Sequence, residues 1–150
     1  MYPKKTTEKA NGNCFVVAAS IAGAFADRLF LMSEPGVSEG IALIDDELVA
    51  KYDADIKSVR CVHGSVTRPL DGRRHTHAWV EIDLGEKMNH LTVMVDYSNG
   101  QAVNIPRQYY YELGEIDHDE VRRYTPEETL KQMVRSEHWG PWDDIFEEAA

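Results

Sequence analysis

A chain of 150 residues, 43% hydrophobic and 28% charged, has the size and composition of one globular domain with a buried core. Its formal net charge of -10 makes the electrostatic term for nucleic acid or an anionic membrane repulsive, so neither is expected as a partner. The stretch from Met1 to Asn13 is polar and Lys-rich, and the apolar run from Phe15 to Ala26 is too short for a membrane span, so the chain reads as cytoplasmic with Cys14 and Cys61 both reduced. A Cys14–Cys61 pair stays open for a protein exported by another route.

The first predicted element is a helix over 14–32. Alanines at 18, 19, 22, 24 and 26 favour it, Ser20 and Gly23 permit close packing, and Asn11-Gly12-Asn13 supplies turn and capping chemistry before it. Ser33-Glu34-Pro35-Gly36 ends it, and a shorter helix is expected over 41–52. Strands follow. Over 56–67, Val59, Cys61 and His63 share one parity; over 76–84, Ala78, Val80 and Ile82 face one way and His77, Trp79 and Glu81 the other; over 90–97, Leu91, Val93 and Val95 oppose Thr92, Met94 and Asp96. Residues 68–74 form a loop and 85–89 a hairpin turn. A further strand is expected over 101–111, with Pro106 limiting its length and Tyr109-Tyr110-Tyr111 as a partly buried strand or rim. Thr125-Pro126-Glu127-Glu128 starts a helix, with Thr as cap and Pro at the first helical position, running to about Glu137.

The charge is unevenly placed. Between Glu112 and Ala150 stand 12 acidic and 4 basic residues, which leaves a net of -2 for the preceding 111. The expectation is a solvated acidic helical segment over about 112–150 flanking a core over about 11–111, all one domain.

Three residues carry the chemistry. Cys14 at a helix start lies beside unsatisfied amides and the positive end of the helix dipole, both of which activate a thiol and stabilise an oxyanion. His77 on a strand reaches it if the helix packs across the sheet, and Asp96 on the neighbouring strand accepts the other ring N–H. Singly, each has a bland reading: a small buried hydrophobe, a structural histidine, a strand-end turn residue. The conjunction points to a thiol enzyme. His75-Thr76-His77 also has metal-ligand spacing, but no third ligand is fixed by spacing and no metal is expected. Trp79 is expected to pack on the imidazole or line the cleft, and Glu81 to pair with an arginine. His63 and His75 are expected at the site mouth, and Arg68, Arg73 and Arg74 make the loop basic, ordinarily a solvated loop and on the functional reading one that attracts an acidic or phosphorylated substrate.

At these positions the chain resembles the papain-like superfamily, in particular its transglutaminase-like branch. Gly12-Asn13-Cys14-Phe15-Val16-Val17-Ala18 is similar to the Gly-x-Cys-aromatic-x-x-Ala start of that family's nucleophile helix, His77-Ala78-Trp79-Val80-Glu81 to its His-x-Trp-x-Glu strand, and Val95-Asp96 to the strand bearing its third triad member. The resemblance spans roughly Asn11 to Asn104. It implies Cys14 as nucleophile, His77 as base and Asp96 as orienter, acting on acyl groups by peptide hydrolysis, deamidation or transfer to an amine. The spacing of 63 positions from Cys14 to His77 is compact, and no glutamine precedes Cys14, so Asn11, Asn13 or backbone amides would serve the oxyanion.

The resulting expectation is an α+β domain: a helix bearing Cys14 packed on an antiparallel sheet bearing His77 and Asp96, with Cys14 on the floor of a cleft open to solvent. Its expected function is acyl chemistry on a peptide, protein or small amide through a cysteine thioester, without a cofactor. The rival reading is a non-catalytic binding protein that acts through its acidic surface. Oligomeric state is not legible in the sequence.

Overall fold

A computed structural model describes residues 14–26, 56–68, 71–98 and 103–142. Within these, the chain runs α1 (Cys14–Ala24), β1 (Ile56–Thr67), β2 (Arg74–Leu84), β3 (Thr92–Asp96), β4 (Val103–Pro106), α2 (Arg107–Leu113), β5 (Arg122–Tyr124) and α3 (Pro126–Ser136). The strands form one sheet in the order β4-β3-β2-β1-β5, every pair antiparallel. The fold is α+β, with the helix bearing Cys14 lying on an antiparallel sheet.

The period-2 alternation of β2 separates two cores. Ala78, Val80, Ile82 and Leu84 join Val59, Cys61, Val93 and Val95 beneath α1. Trp79 and Met94 join Val62, Val66, Tyr111, Ile116 and Val121 on the opposite face. Helix α1 is apolar all round, and the fold explains it: one side meets the sheet and another meets Met133 and Leu130 of α3. Every α1 residue except Phe15 is buried.

Two hairpins fix the central register. Thr67↔Arg74 closes the first, where Gly72 takes φ +68 in the loop. The second is a 3-10 turn at Glu86–Met88, followed by Asn89 and His90 in the left-handed region, and is closed by Leu84 N–H to Leu91 O at 2.8 Å.

Two expectations change. The strand foreseen over 101–111 stops at Pro106, and 107–113 is helix. Proline donates no ladder hydrogen bond yet precedes a helix without strain, and burial of Tyr111 overrides the strand preference of the tyrosine run. The segment from 112 onward is likewise not purely helical: β5 pairs with β1 through Cys61↔Tyr124 to His63↔Arg122 and stands at one edge of the described sheet, opposite β4. Helix α3 carries Glu127 and Glu128 but also Lys131 and Arg135. The end of the helix foreseen over 14–32, the helix over 41–52 and the acidic terminus over 143–150 lie outside the described residues. No described helix is long and apolar enough to cross a membrane.

Candidate active site

Strand parity places His77, Trp79 and Glu81 on the face away from α1. The β2–β3 ladder starts from Val80↔Val95, so Asp96 stands one step beyond it, opposite Trp79 and diagonal to His77. The diagonal is closed by His77 Nε2 and Asp96 Oδ2 at 2.8 Å. Asp96 is itself held: its Oδ1 accepts from the Ser98 backbone N–H at 2.9 Å and from Ser98 Oγ at 2.6 Å. This Asp-x-Ser turn follows directly from the strand end.

Cys14 is the first residue of α1 and lies close enough to the His77 ring to act on its charge. Because Nε2 is committed to Asp96, Nδ1 is the nitrogen left for the thiol. The part of β2 carrying His77 lies beyond the end of the β2–β3 ladder, which leaves the ring approachable from the start of α1.

The electrostatics follow from this placement. Burial opposes a charge on His77, but the hydrogen bond to Asp96 and the neighbouring Cys14 thiol, reinforced by the charge of both, raise its pKa to about 10. Burial would raise Asp96, yet His77 and Ser98 hold its carboxyl below the usual value. Burial pushes the Tyr110 phenol up, and the charges of Asp96 and Cys14 add to that push. Tyr110 therefore borders the same cluster, and its ring meets Trp79 edge-on at 5.3 Å.

The cluster is compact and covered. Cys14 is 7% exposed, so it does not stand on the open cleft floor that was expected. The first turn of α1 lies between the sheet core and aromatic neighbours, Phe15 packing edge-on against His63 at 4.8 Å.

The supporting residues divide. Trp79 is buried, its ring nearly parallel to that of His77 at 6.0 Å, and its Nε1 donates to Glu81 at 3.0 Å. His75 lies 5.6 Å from His77, and burial followed by the charges of His77 and Arg68 lowers its pKa. The basic loop is partly spent on structure. Arg68 faces Asp71 at 3.8 Å, and Arg74 donates to Thr67 Oγ1, Glu115 O and Ser65 O, clamping the hairpin. Arg73 is exposed beside them, its backbone N–H donating to Asp71. Asn11 and Asn13 lie outside the described residues. His63 is not at the mouth at all: it is fully buried on the α1 face, ringed by Phe15, Tyr124 and Trp142.

Sequence reading missed Ser98 and Tyr110 as neighbours of the cluster. The Asp96-x-Ser98 spacing was the available signal for the first; the second needed α2, which sequence read as strand. Among the described residues no group of three or more His, Cys, Asp or Glu side chains is arranged to hold a metal ion. Comparison with protein families, curated proteins and solved structures found no match for this chain.

Proposed function

We propose that the chain carries out thiol-dependent acyl chemistry on a peptide or amide, in the manner of the papain-like and transglutaminase-like enzymes its motifs resemble. The observation that carries this reading is the 2.8 Å His77–Asp96 bond together with the placement of Cys14, at the start of α1, near the same ring. Cys14 sulfur attacks the carbonyl carbon, and its proton resides on His77 Nδ1. The tetrahedral intermediate collapses to a thioester as His77 protonates the departing amine. Water or a second amine then attacks the thioester, giving up its proton to His77, and Cys14 is released. Asp96 holds the imidazole in register and balances its charge. Amides of the first helical turn serve the oxyanion. No cofactor enters this scheme, and the acidic C-terminal segment is read as a solvated surface of a cytoplasmic protein.

Burial of Cys14 favours one competing reading, a non-catalytic binding protein that keeps the arrangement for packing. Alkylation separates the two. Under the enzyme reading iodoacetamide modifies Cys14 much faster than Cys61 at neutral pH, and an acyl-type activity probe labels the native chain but not Cys14→Ala. Equally slow modification of both cysteines, with no probe adduct on Cys14, sinks the enzyme reading.

A further inference from the structure

The face of the sheet away from α1 holds a second polar cluster that the acyl chemistry does not use. Glu81 is fully buried, and its Oε2 accepts from Trp79 Nε1 and from Tyr111 OH. Its Oε1 accepts from Arg107 Nη1 at 3.3 Å and Arg123 Nε at 3.4 Å, with Arg60 at 4.0 Å. Arg60 is already matched by Asp83, with contacts of 2.9 Å from both its terminal nitrogens. Two guanidiniums, Arg107 and Arg123, therefore share one carboxylate. Within the cluster itself the two guanidiniums outnumber the carboxylate by one and are held in place by a buried anchor, while Glu112, Glu115, Asp117, Asp119 and Glu120 follow on the neighbouring stretch of chain.

Above this anchor lies a surface cavity of about 420 Å³ lined by Arg107, Gln108, Tyr111, Glu112, Ile116 and His118. Arg107 spends one nitrogen on Glu81, and its guanidinium carbon lies 6.0 Å from the centre of the Tyr111 ring. The rest of its five-donor fork is available to the cavity. Arg123 Nη2 lies 3.3 Å from His118 Nδ1. Arginine only donates, so Nδ1 is the acceptor and the imidazole proton sits on Nε2. His118 then adds a second N–H donor, and the Gln108 amide adds a third. Glu112 is the contrary charge of the lining and, like Gln108 and His118, it is exposed to solvent.

We propose that this cavity binds a small oxyanion, a carboxylate or phosphate group, gripped by the free edge of the Arg107 guanidinium and completed by His118 and Gln108. The site is independent of the acyl reading: it lies around α2 and shares no residue with Cys14, His77 and Asp96. Bidentate capture by a guanidinium is the geometry that suits such groups.

The test is titration of the full chain with inorganic phosphate and, separately, with succinate, followed through the His118 ring resonances and by calorimetry. Saturable binding is expected for at least one anion, with a Kd below about 10 mM. The tighter of the two identifies the class of ligand. Arg107→Gln should weaken it at least about tenfold, the effect of losing one charge-assisted contact. Because Arg107 also touches Glu81, a second variant decides the matter if that one fails to fold. Gln108→Glu leaves the Glu81 anchor intact, adds a negative charge to the wall, and should likewise abolish or strongly weaken binding. Failure of both anions to bind below about 50 mM overturns the proposal, as does binding that Gln108→Glu leaves unchanged.

Discussion

His77 is the residue at which three influences meet: burial against its charge, and Asp96 and Cys14 for it. The outcome sets a pH window. An imidazole whose pKa rises from 6.5 unfolded to about 10 folded contributes stability that is fully present below about pH 6.5 and is lost as pH climbs toward 10. Asp96→Asn removes the charged partner, so the His77 titration followed by ring NMR should move down, and the alkaline loss of stability should shrink with it. A His77 titration unmoved by that change would mean that Asp96 does not govern the ring. Glu81 makes the opposite kind of statement, a buried carboxylate whose removal strands cations. Glu81→Gln should cost about 3 kcal/mol, the lower end for breaking a buried pair, because the arginine side chains keep 24–28% exposure. Urea unfolding measures it, and a loss below about 1 kcal/mol would place the arginines' stabilisation elsewhere. At this scale the sequence was legible where residue type and setting agreed, as in placing Cys14 at a helix start and His77 on a strand. For Glu81 it foresaw an arginine partner but not the cluster, because Arg60, Arg107 and Arg123 come from three separate elements and only the fold brings them together.

Among the elements, β1 and β2 were legible nearly residue by residue, since one face of each lies against α1 and alternation follows directly from that. Helix α3 was legible from its start. Thr125 accepts from Glu128 N–H, the Glu128 side chain accepts from Thr125 N–H, and Pro126 opens the first turn. Thr125→Ala should therefore cost about 1 kcal/mol and lower the melting temperature by a few degrees, read by thermal denaturation. No change would mean that packing of Met133 on α1 holds the helix without its cap. Helix α2 was illegible, because three consecutive tyrosines have strand preferences and only the Tyr111 hydroxyl on Glu81 argues for a helix there. Gly64 marks where β1 tolerates nothing more. A Cβ there would stand 2.9 Å from Val121 Cγ1 and 3.0 Å from Trp79 Cη2, so Gly64→Ala should destabilise by about 1–3 kcal/mol through overpacking between β1 and the Trp79 face. An alanine variant as stable as the parent would show that Trp79 can shift, and the Trp79–Glu81 bond would then be expected to weaken.

The molecule as a whole is closed by His63. Its ring is fully buried and lies within 5.0 Å of Phe15 on α1, Tyr124 on β5 and Trp142 beyond α3, so elements from both ends of the described chain converge on it. Its Nε2 lies 3.7 Å from Cys61 Sγ, whose thiol burial pushes up, so the neighbour across that contact stays neutral. Burial, with a smaller push from the charge of His138, lowers the His63 pKa to about 3. The unfolded chain then binds a proton at this position between about pH 6.5 and 3, and the folded chain does not. Stability contributed by the neutral ring is complete above pH 6.5 and falls as the pH drops through that window, by up to about 5 kcal/mol over its full span. The dependence is opposite in direction to that of His77, so the two histidines bound the pH range of greatest stability from the acid and alkaline sides. The measurement is the urea midpoint at intervals from pH 7 to pH 4 for the parent and for His63→Leu, which keeps an apolar filling beneath Phe15 and removes the titration. The variant is expected to start less stable at pH 7 and to lose less on acidification, so the two curves converge. Parallel curves would show that the acid sensitivity comes from carboxylates such as Asp96 and not from the histidine at the centre of the core.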